Sequence, residues 1–576
     1  MMFVFFIISL LIFHIGIDCL SYVPESEQFQ KLQVRTLNGL IQGAIDRTDS
    51  GVSYFSFMGI PYAVPPLGEL RFRDPQPMPK WSKVLDARTE GPCCIGISTF
   101  DLKDFKIVPS GSEDCLYLSV FTPKINEGNS NDNLLPVLVY IVGGAFLTSC
   151  TPKFVFGPDY FIENGVVIVT FNFRTTMFGY LSTEDLECPG NWAIKDQIAA
   201  LNWIKHNIHN FGGDPNKITL IGQSAGAASI NLLLMSPKAE GLFQGVIMQS
   251  GSSLCPWSYQ ISPRKMAFDI GFSLGIETNS SKELVSIFRK MDIQELMRGQ
   301  IPAIIVNFAQ VLTNGFPFSL SVEPHHENAV ITDYTYNLLE RGNFTRVPVI
   351  MGVNSLEMKY LKIFVDIIGM PVQFLADISP GSLIRFTKST IKRRIAGMKI
   401  RSHFSRSDEF VSLTSEELIQ YLSGDMYFRP MRKTATLLAK KNPVYFYVFS
   451  YEGELAKRGA SLFARSPSKD VKGVGHTEEI FYQFKTNFTG PVSIRDQTTI
   501  NRFMKLWINF AKTGNPTPAK DDDLSAIIWP RVSSVKFPYL DIGAELKISD
   551  KNFDEKNYRF WEKLYQQFAD KPYKSF

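Results

Sequence analysis

The sequence predicts an α/β fold in which a large, mostly parallel sheet is doubly wound, with helices on both of its faces. Residues 135–142 and 165–171 are continuous apolar runs rich in β-branched side chains, as expected of strands buried on both sides. Residues 196–209 follow with apolar side chains at helical spacing, and residues 218–221 form the next apolar run. This alternation indicates parallel pairing, because parallel neighbours need a crossover connection, usually a helix.

Later segments extend the same pattern. Apolar runs predict strands at residues 243–250, 347–353 and 444–450, and residues 498–512 predict a helix closed by Gly514. Ligands of such sheets bind beyond the carboxyl ends of the strands. No linker of Pro, Gly or Ser and no repeat divides the 576 residues, so we expect a single domain over residues 21–576.

The N-terminus predicts a secretory signal peptide over residues 1–20. Residues 2–13 form an apolar run that is too short to span a bilayer, and no charge occurs before Asp18. A buried first strand or an uncleaved anchor is the alternative. No later stretch approaches membrane length, so we expect a secreted, extracellular protein without a stable membrane anchor.

We expect no nucleic-acid partner, because 60 basic and 56 acidic residues leave a formal net charge of only +4. The triplets that begin at Asn279, Asn343 and Asn487 match the acceptor pattern for N-glycosylation. The sequence predicts no oligomeric state.

Six cysteines follow the predicted signal peptide, and an oxidising compartment favours at least one disulfide among them. They are Cys93, Cys94, Cys115, Cys150, Cys188 and Cys255. Their spacing alone does not give the pairing.

Ser224 is the strongest candidate for a catalytic residue. It lies in Gly-Gln-Ser-Ala-Gly at residues 222–226, between the apolar run 218–221 and a predicted helix. A strand, a sharp turn with a central serine and a helix form the context of a nucleophile elbow. The helix N-terminus favours negative charge that develops there. This pattern predicts an ester or amide hydrolase.

A serine nucleophile needs a base and an acid that orients the base. Downstream of Ser224 the candidate bases are His325, His326, His403 and His476. His476 lies in a glycine-flanked segment, residues 473–479, and Glu357 follows the predicted strand 347–353. This chemistry requires neither a metal nor a cofactor.

The chain resembles the type-B carboxylesterases, the family that includes cholinesterases and insect juvenile hormone esterases. The resemblance covers nearly everything after the signal peptide. The matching motifs are FMGIPYA at 57–63, PPLGELRF at 65–72, EDCLYL at 113–118, GN at 190–191, KDQ at 195–197, FGGDP at 211–215, the elbow at 222–226, QSGS at 249–252, NFA at 509–511 and GNP at 514–516.

The resemblance implies the α/β-hydrolase fold and a small-molecule ester substrate. It implies Ser224 as nucleophile, His476 as base and Glu357 as acid. The oxyanion-hole N–H groups would come from Gly143, Gly144 and Ala225.

Two structural roles are also implied by the resemblance. Cys94 and Cys115 resemble the first disulfide of the family. Cys93, next to Cys94, is the alternative partner of Cys115. Trp257 resembles a wall of the acyl pocket, and a plain core tryptophan is the alternative.

Two departures from the family pattern stand close to the site. Val142 replaces the usual histidine before the oxyanion glycines, and Gln223 replaces the commoner glutamate before the nucleophile. Gln223 is similar to juvenile hormone esterases and removes a negative charge, which disfavours acetylcholine as substrate.

The predicted function is a secreted serine carboxylesterase for apolar esters. The alternatives are a juvenile-hormone-specific esterase, a non-catalytic binding or adhesion protein on the same fold, and a ligand-sequestering protein with an impaired oxyanion hole.

Overall fold

The structure is a computed structural model that describes residues 32–101, 106–126, 133–260, 262–308, 315–360, 362, 389–406, 413–463, 471–533, 535–570 and 573. The predicted signal peptide, residues 1–20, lies outside these residues. No helix in the described part of the chain is long and apolar enough to cross a membrane.

A single large sheet organises the described residues. Its strands, numbered along the chain, are β1 Ala44–Arg47, β2 Ser53–Pro61, β3 Tyr117–Thr122, β4 Leu135–Ile141, β5 Val167–Phe171, β6 Gly213–Gln223, β7 Gly245–Gln249, β8 Val349–Asn354, β9 Val444–Phe449, β10 Tyr539–Ile542 and β11 Leu546–Ser549. Their order across the sheet is β11-β10-β9-β8-β7-β6-β4-β5-β3-β2-β1.

The centre of this sheet is parallel and its margins are antiparallel. Parallel pairing runs without interruption from β5 through β4, β6, β7, β8 and β9 to β10. The antiparallel pairs are β5–β3, β3–β2 and β2–β1 at one side and β10–β11 at the other. Every residue of β5, β7, β8 and β9 is buried, which explains their continuous apolar sequences.

Helices cover the sheet and provide the crossovers. They are α1 Asp159–Ile162, α2 Thr176–Tyr180, α3 Trp192–Asn207, α4 Ala225–Met235, α5 Pro263–Ser273, α6 Ser281–Lys290, α7 Ile293–Phe308, α8 Thr335–Arg341, α9 Thr390–Phe404, α10 Ser415–Ser423, α11 Arg429–Leu438, α12 Glu454–Phe463, α13 Ile494–Thr513 and α14 Glu555–Phe568. The predicted fold class, a large and mostly parallel sheet with covering helices, is confirmed.

Smaller elements complete the described chain. Strands Gln33–Arg35, Leu40–Gln42 and Leu85–Asp86 form a small sheet, and Gly96–Asp101 pairs with Lys106–Ser110. Short helical turns are Gly68–Leu70, Ile208–Phe211, Pro237–Ala239, Gly424–Phe428, Glu478–Tyr482 and Asp522–Leu524.

The carboxyl ends of three central strands lead to the residues that the sequence singles out. Ser224 follows β6 directly, Glu357 lies three residues after β8, and the oxyanion glycines follow β4. Because these strands are parallel, their ends meet at one edge of the sheet.

Candidate active site

Ser224 occupies a sharp turn between β6 and α4. Its φ of 56° lies in the left-handed region, which is uncommon for a residue with a side chain. The turn is held by a hydrogen bond of 2.8 Å from the Ser224 N–H to the carbonyl of Gln249. Glycines make room for it, because a Cβ at Gly226 would overlap the carbonyl oxygen of Ile141 and one at Gly251 would overlap that of Ser224.

Three side chains distant in sequence meet at this turn. Ser224 Oγ lies 2.9 Å from Nε2 of His476, and Nδ1 of His476 lies 2.8 Å from Oε2 of Glu357. Glu357 is fully buried, whereas Ser224 retains 8% exposure and His476 5%. Such a chain can carry a proton from a serine hydroxyl to an imidazole whose orientation is fixed by a carboxylate.

Main-chain contacts fix the acid and the base. The N–H of Asn354, the last residue of β8, donates to Oε1 of Glu357 at 2.8 Å. The N–H of His476 donates to the carbonyl of Glu357 at 3.1 Å, and the N–H of Leu356 donates to that of Val474 at 2.9 Å. The loop that carries the imidazole is therefore tied to the turn that carries the carboxylate.

A second carboxyl group, Glu479, is buried behind the triad. The Asn354 side-chain amide donates to Glu479 and also to the carbonyl of Gly475, the latter at 2.7 Å. Burial, reinforced by the negative charge of Glu357, raises the pKa of Glu479 to about 8. Sequence reasoning missed this residue, because a Glu adjacent to another Glu carries no signal of burial.

The expected oxyanion groups border the nucleophile. Gly143 is so close to Ser224 that a Cβ built on it would lie 3.0 Å from the Cβ of Ser224, and Gly144 has a φ of +134°. Ala225 is the first residue of α4. Among the described residues, none of these three N–H groups donates a hydrogen bond. Val142 is a buried apolar side chain beside them.

Gln223 reaches His476, the candidate base. Its Nε2 lies 3.2 Å from Nε2 of His476. The residue that departs from the common family pattern therefore contacts the triad directly, as an uncharged amide.

Trp257 lies in an aromatic cluster beside the triad. Its ring centroid is 6.3 Å from that of Phe146, 5.9 Å from Phe316 and 5.9 Å from Tyr427. The Tyr427 ring is in turn 4.8 Å from the imidazole of His476. Sequence reasoning missed Phe146, Phe316 and Tyr427, since no local pattern links residues so far apart in the chain.

Two disulfides link four of the six cysteines. Cys94 pairs with Cys115, and Cys93 pairs with Cys150 rather than with Cys115. Cys188 and Cys255 are buried thiols, and burial raises the pKa of each to about 12, which keeps both protonated at neutral pH.

The chain is similar to known esterases along nearly its whole length. The model of the Carboxylesterase family matches residues 30–561. The chain is 31% identical over 551 residues to a juvenile hormone esterase of Tribolium castaneum, covering 91% of this chain and 90% of that one. It is 32% identical over 514 residues to esterase FE4 of Myzus persicae, covering 87% of each.

Among solved structures, the chain is similar to juvenile hormone esterase from Manduca sexta with OTFP covalently attached. The TM-score is 0.79 at 26% identity, over 93% of this chain and all of that one. Together, the family match over nearly the whole chain and these relatives show that this protein belongs to the carboxylesterase family and is a carboxylic ester hydrolase.

Proposed function

We propose that this protein is a secreted serine carboxylesterase that hydrolyses apolar esters through an acyl-enzyme. The observation that carries the proposal is the continuous chain from Ser224 Oγ to His476 to Glu357, with contacts of 2.9 and 2.8 Å. Both distances lie within the range that proton transfer in such a triad requires.

In the first half-reaction, Ser224 attacks the ester carbonyl while His476 accepts its proton. Glu357 keeps Nδ1 of the imidazole protonated and stabilises the imidazolium that forms. His476 then gives the proton to the departing alcohol. Water attacks the acyl-enzyme by the same route, and the carboxylic acid leaves.

The negative charge on the carbonyl oxygen would be met by the N–H groups of Gly143, Gly144 and Ala225. Main-chain donors are insensitive to the replacement of the neighbouring histidine by Val142, so an impaired oxyanion hole does not follow from that change. Loss of one such donor costs about 3–4 kcal/mol of barrier in a comparable hydrolase.

An apolar substrate fits the surroundings of the triad. Trp257, Phe146, Phe316 and Tyr427 form a buried aromatic wall. We assign Trp257 to the acyl pocket on the strength of this wall, although its indole also packs as a core residue, donating to the carbonyl of Met426 at 3.2 Å.

Juvenile hormone is the second candidate substrate, in place of a broader set of esters. Gln223 and the sequence of the His476 loop favour it, and the relatives from Tribolium castaneum and Manduca sexta both carry the name juvenile hormone esterase. The complete triad geometry argues against a purely adhesive protein on this fold.

Passage through the secretory pathway is part of the proposal. Asn279, Asn343 and Asn487 are all exposed, so each is accessible to glycosylation. Removal of residues 1–20 and a mass decrease on enzymatic deglycosylation of the secreted protein would test it.

The central test is turnover of a short-chain nitrophenyl ester and of juvenile hormone by the secreted protein and its Ser224→Ala variant. We expect hydrolysis of the nitrophenyl ester that the variant loses by at least about 10⁴-fold. Hydrolysis of both compounds supports the hormone assignment, and hydrolysis of the nitrophenyl ester alone supports a general esterase. Folded protein that hydrolyses neither would refute the enzymatic proposal.

A further inference from the structure

Helix α9, Thr390–Phe404, has apolar side chains on two opposite faces. Its inner face, with Ala396, Gly397 and Ile400, is buried, and the helix packs against α10 and α14. A surface helix of a globular protein usually has one apolar stripe, and that stripe faces the core. Contacts among the described residues therefore account for the inner face of α9 and leave the outer face unexplained.

The outer face carries a row of large, exposed apolar side chains. Ile391, Ile395 and Met398, the apolar row, follow one another at spacings of four and three residues, so they lie one above the other along the helix. Their exposed fractions are 73%, 37% and 50%. A single exposed apolar residue is ordinary, whereas several that adjoin on one face mark a surface that meets a partner or a membrane.

Basic side chains border the apolar row on both sides. Because the helix has about 3.6 residues per turn, Lys392 and Lys399 lie along one side of the row, and Arg394 and Arg401 lie along the other. The two lysines and Arg394 are exposed, and Arg401 is half-buried. Helix α9 contains no aspartate or glutamate. An apolar row between two lines of cations is typical of a helix that lies in the plane of a membrane interface.

The groups around these basic side chains compensate little of their charge. Lys392 Nζ lies 3.4 Å from Asp570, and such an exposed ion pair contributes little. Lys399 Nζ donates to the uncharged amide oxygen of Gln567 at 2.9 Å. Among the described residues, Arg394 has no ion-pair or hydrogen-bond partner. The outer face of α9 is therefore apolar along its middle and positively charged along its edges, which complements a negatively charged surface.

We propose that the outer face of α9 binds reversibly to the surface of a lipid bilayer that contains anionic phospholipid. The apolar row enters the boundary between headgroups and acyl chains, and the flanking lysines and arginines contact the lipid phosphates and carboxylates. A bilayer is favoured over an acidic protein, because cations alone would serve the latter and the apolar row would stay exposed. No triad residue lies on α9, so the inference does not rest on the proposed function.

The test is co-sedimentation of the purified protein with lipid vesicles. Every protein in the series carries Ser224→Ala, so that the ester bonds of the lipids stay intact. One set of vesicles contains equimolar phosphatidylcholine and phosphatidylserine, and the other contains phosphatidylcholine alone. We expect binding to the anionic vesicles to be at least tenfold tighter, and to weaken at high salt concentration because salt screens the attraction.

The apolar row is tested by Ile391→Ser combined with Met398→Ser. This double variant should bind the anionic vesicles at least tenfold more weakly, because two large apolar side chains no longer leave water. Its matched control is Phe272→Ser combined with Ile494→Ser, two apolar residues of α5 and α13 that are 75% and 88% exposed. The control should keep the original affinity.

The flanking charges are tested by Arg394→Gln combined with Lys399→Gln. We expect this double variant to bind the anionic vesicles about tenfold more weakly. Lys80→Gln combined with Lys282→Gln removes the same charge at exposed positions outside α9 and should change the affinity little. Comparison of the two double variants separates a local effect of α9 from the effect of net charge.

A fluorescent label reports directly on insertion. Cys188 and Cys255 are buried, so a thiol-reactive, environment-sensitive dye should label the exposed position in Met398→Cys selectively. We expect the emission of this dye to shift to shorter wavelength when anionic vesicles are added. The same dye on Ile494→Cys should show no shift.

Three results would overturn the proposal. The first is no binding to the anionic vesicles by protein whose circular dichroism shows that it is folded. The second is binding that both α9 double variants retain, which would place the contact elsewhere in the chain. The third is binding that depends on the basic residues but not on the apolar row and leaves the dye emission unchanged, as expected of a face that meets an acidic protein.

Discussion

The side-chain amide nitrogen of Gln223 lies 3.2 Å from Nε2 of His476, the ring nitrogen that Ser224 Oγ approaches to 2.9 Å. With Nδ1 bound to Glu357, a neutral imidazole has one lone pair at Nε2. Two donors therefore converge on one acceptor. A glutamate at position 223 would replace one of these donors by a negative charge beside the position from which, in the proposed mechanism, the alcohol leaves.

We expect Gln223→Glu to shift selectivity toward cationic esters. The relevant measurement is the ratio of kcat/KM for a choline ester to that for its uncharged 3,3-dimethylbutyl analogue. The ratio should rise about tenfold, because a carboxylate a few ångströms from the cation attracts it through a medium of moderate dielectric constant. Gln223→Met, which is uncharged and similar in length, should leave the ratio unchanged. Equal ratios in all three proteins would show that charge at this position does not reach the substrate.

The raised pKa of Glu479 predicts that this residue lowers the stability of the protein as pH rises. The Glu479→Gln variant should not show this loss. Because its pKa is raised to about 8 in the folded protein, Glu479 binds a proton on folding between about pH 4.5 and 8. The contribution of Glu479 to the free energy of unfolding therefore falls as pH rises through this window. The free energy of unfolding of Glu479→Gln should therefore rise with pH relative to that of the unmodified protein. The difference should reach about 4 kcal/mol at pH 8.

Denaturant unfolding of both proteins at several pH values between 4.5 and 8 measures this difference. Glu340→Gln, which neutralises an exposed carboxylate, is the control and should run parallel to the unmodified protein. A constant difference between Glu479→Gln and the unmodified protein across the window would mean that Glu479 is ionised in the folded state.

The two disulfides give a prediction for both pairing and stability. Peptide mapping without reduction should recover Cys93 linked to Cys150 and Cys94 linked to Cys115, bridges that span 57 and 21 residues. Replacing either pair by alanine should lower the free energy of unfolding by about 3–4 kcal/mol, because each bridge restricts the unfolded chain. A peptide that links Cys93 to Cys115 would contradict this pairing.

The sequence predicted the centre of the sheet well and its margins poorly. Strands such as β5 and β9 are buried on both faces, so their apolar runs are continuous and easily recognised. At one margin, β1 has the sequence Ala-Ile-Asp-Arg with alternating partial burial, and at the other only the first residue of β11 is buried. Such short strands carry too little apolar sequence to stand out from loops.

Some residues of the site can likewise be identified from the local sequence, and others cannot. Ser224 was identified from its own pentapeptide, because strand, turn and helix are all local. Choosing His476 and Glu357 required the family resemblance, since spacing alone left several histidines open. Glu479, Phe316 and Tyr427 reach the site through contacts between distant segments, which no single stretch of sequence encodes.

Trp257 should limit the size of the acyl group. Replacing it with leucine removes part of the aromatic wall next to Tyr427, whose ring contacts His476. We expect the ratio of kcat/KM for a nitrophenyl hexanoate to that for the acetate to rise about tenfold, since each added methylene gains roughly 0.8 kcal/mol when buried. Trp529→Leu is the matched control, because Trp529 is equally buried and also donates its indole N–H to a main-chain carbonyl. Both variants should lose stability, but the control should keep the original ratio. If the Trp257→Leu variant also keeps the original ratio of kcat/KM values, Trp257 is a core residue whose side chain does not face the acyl group.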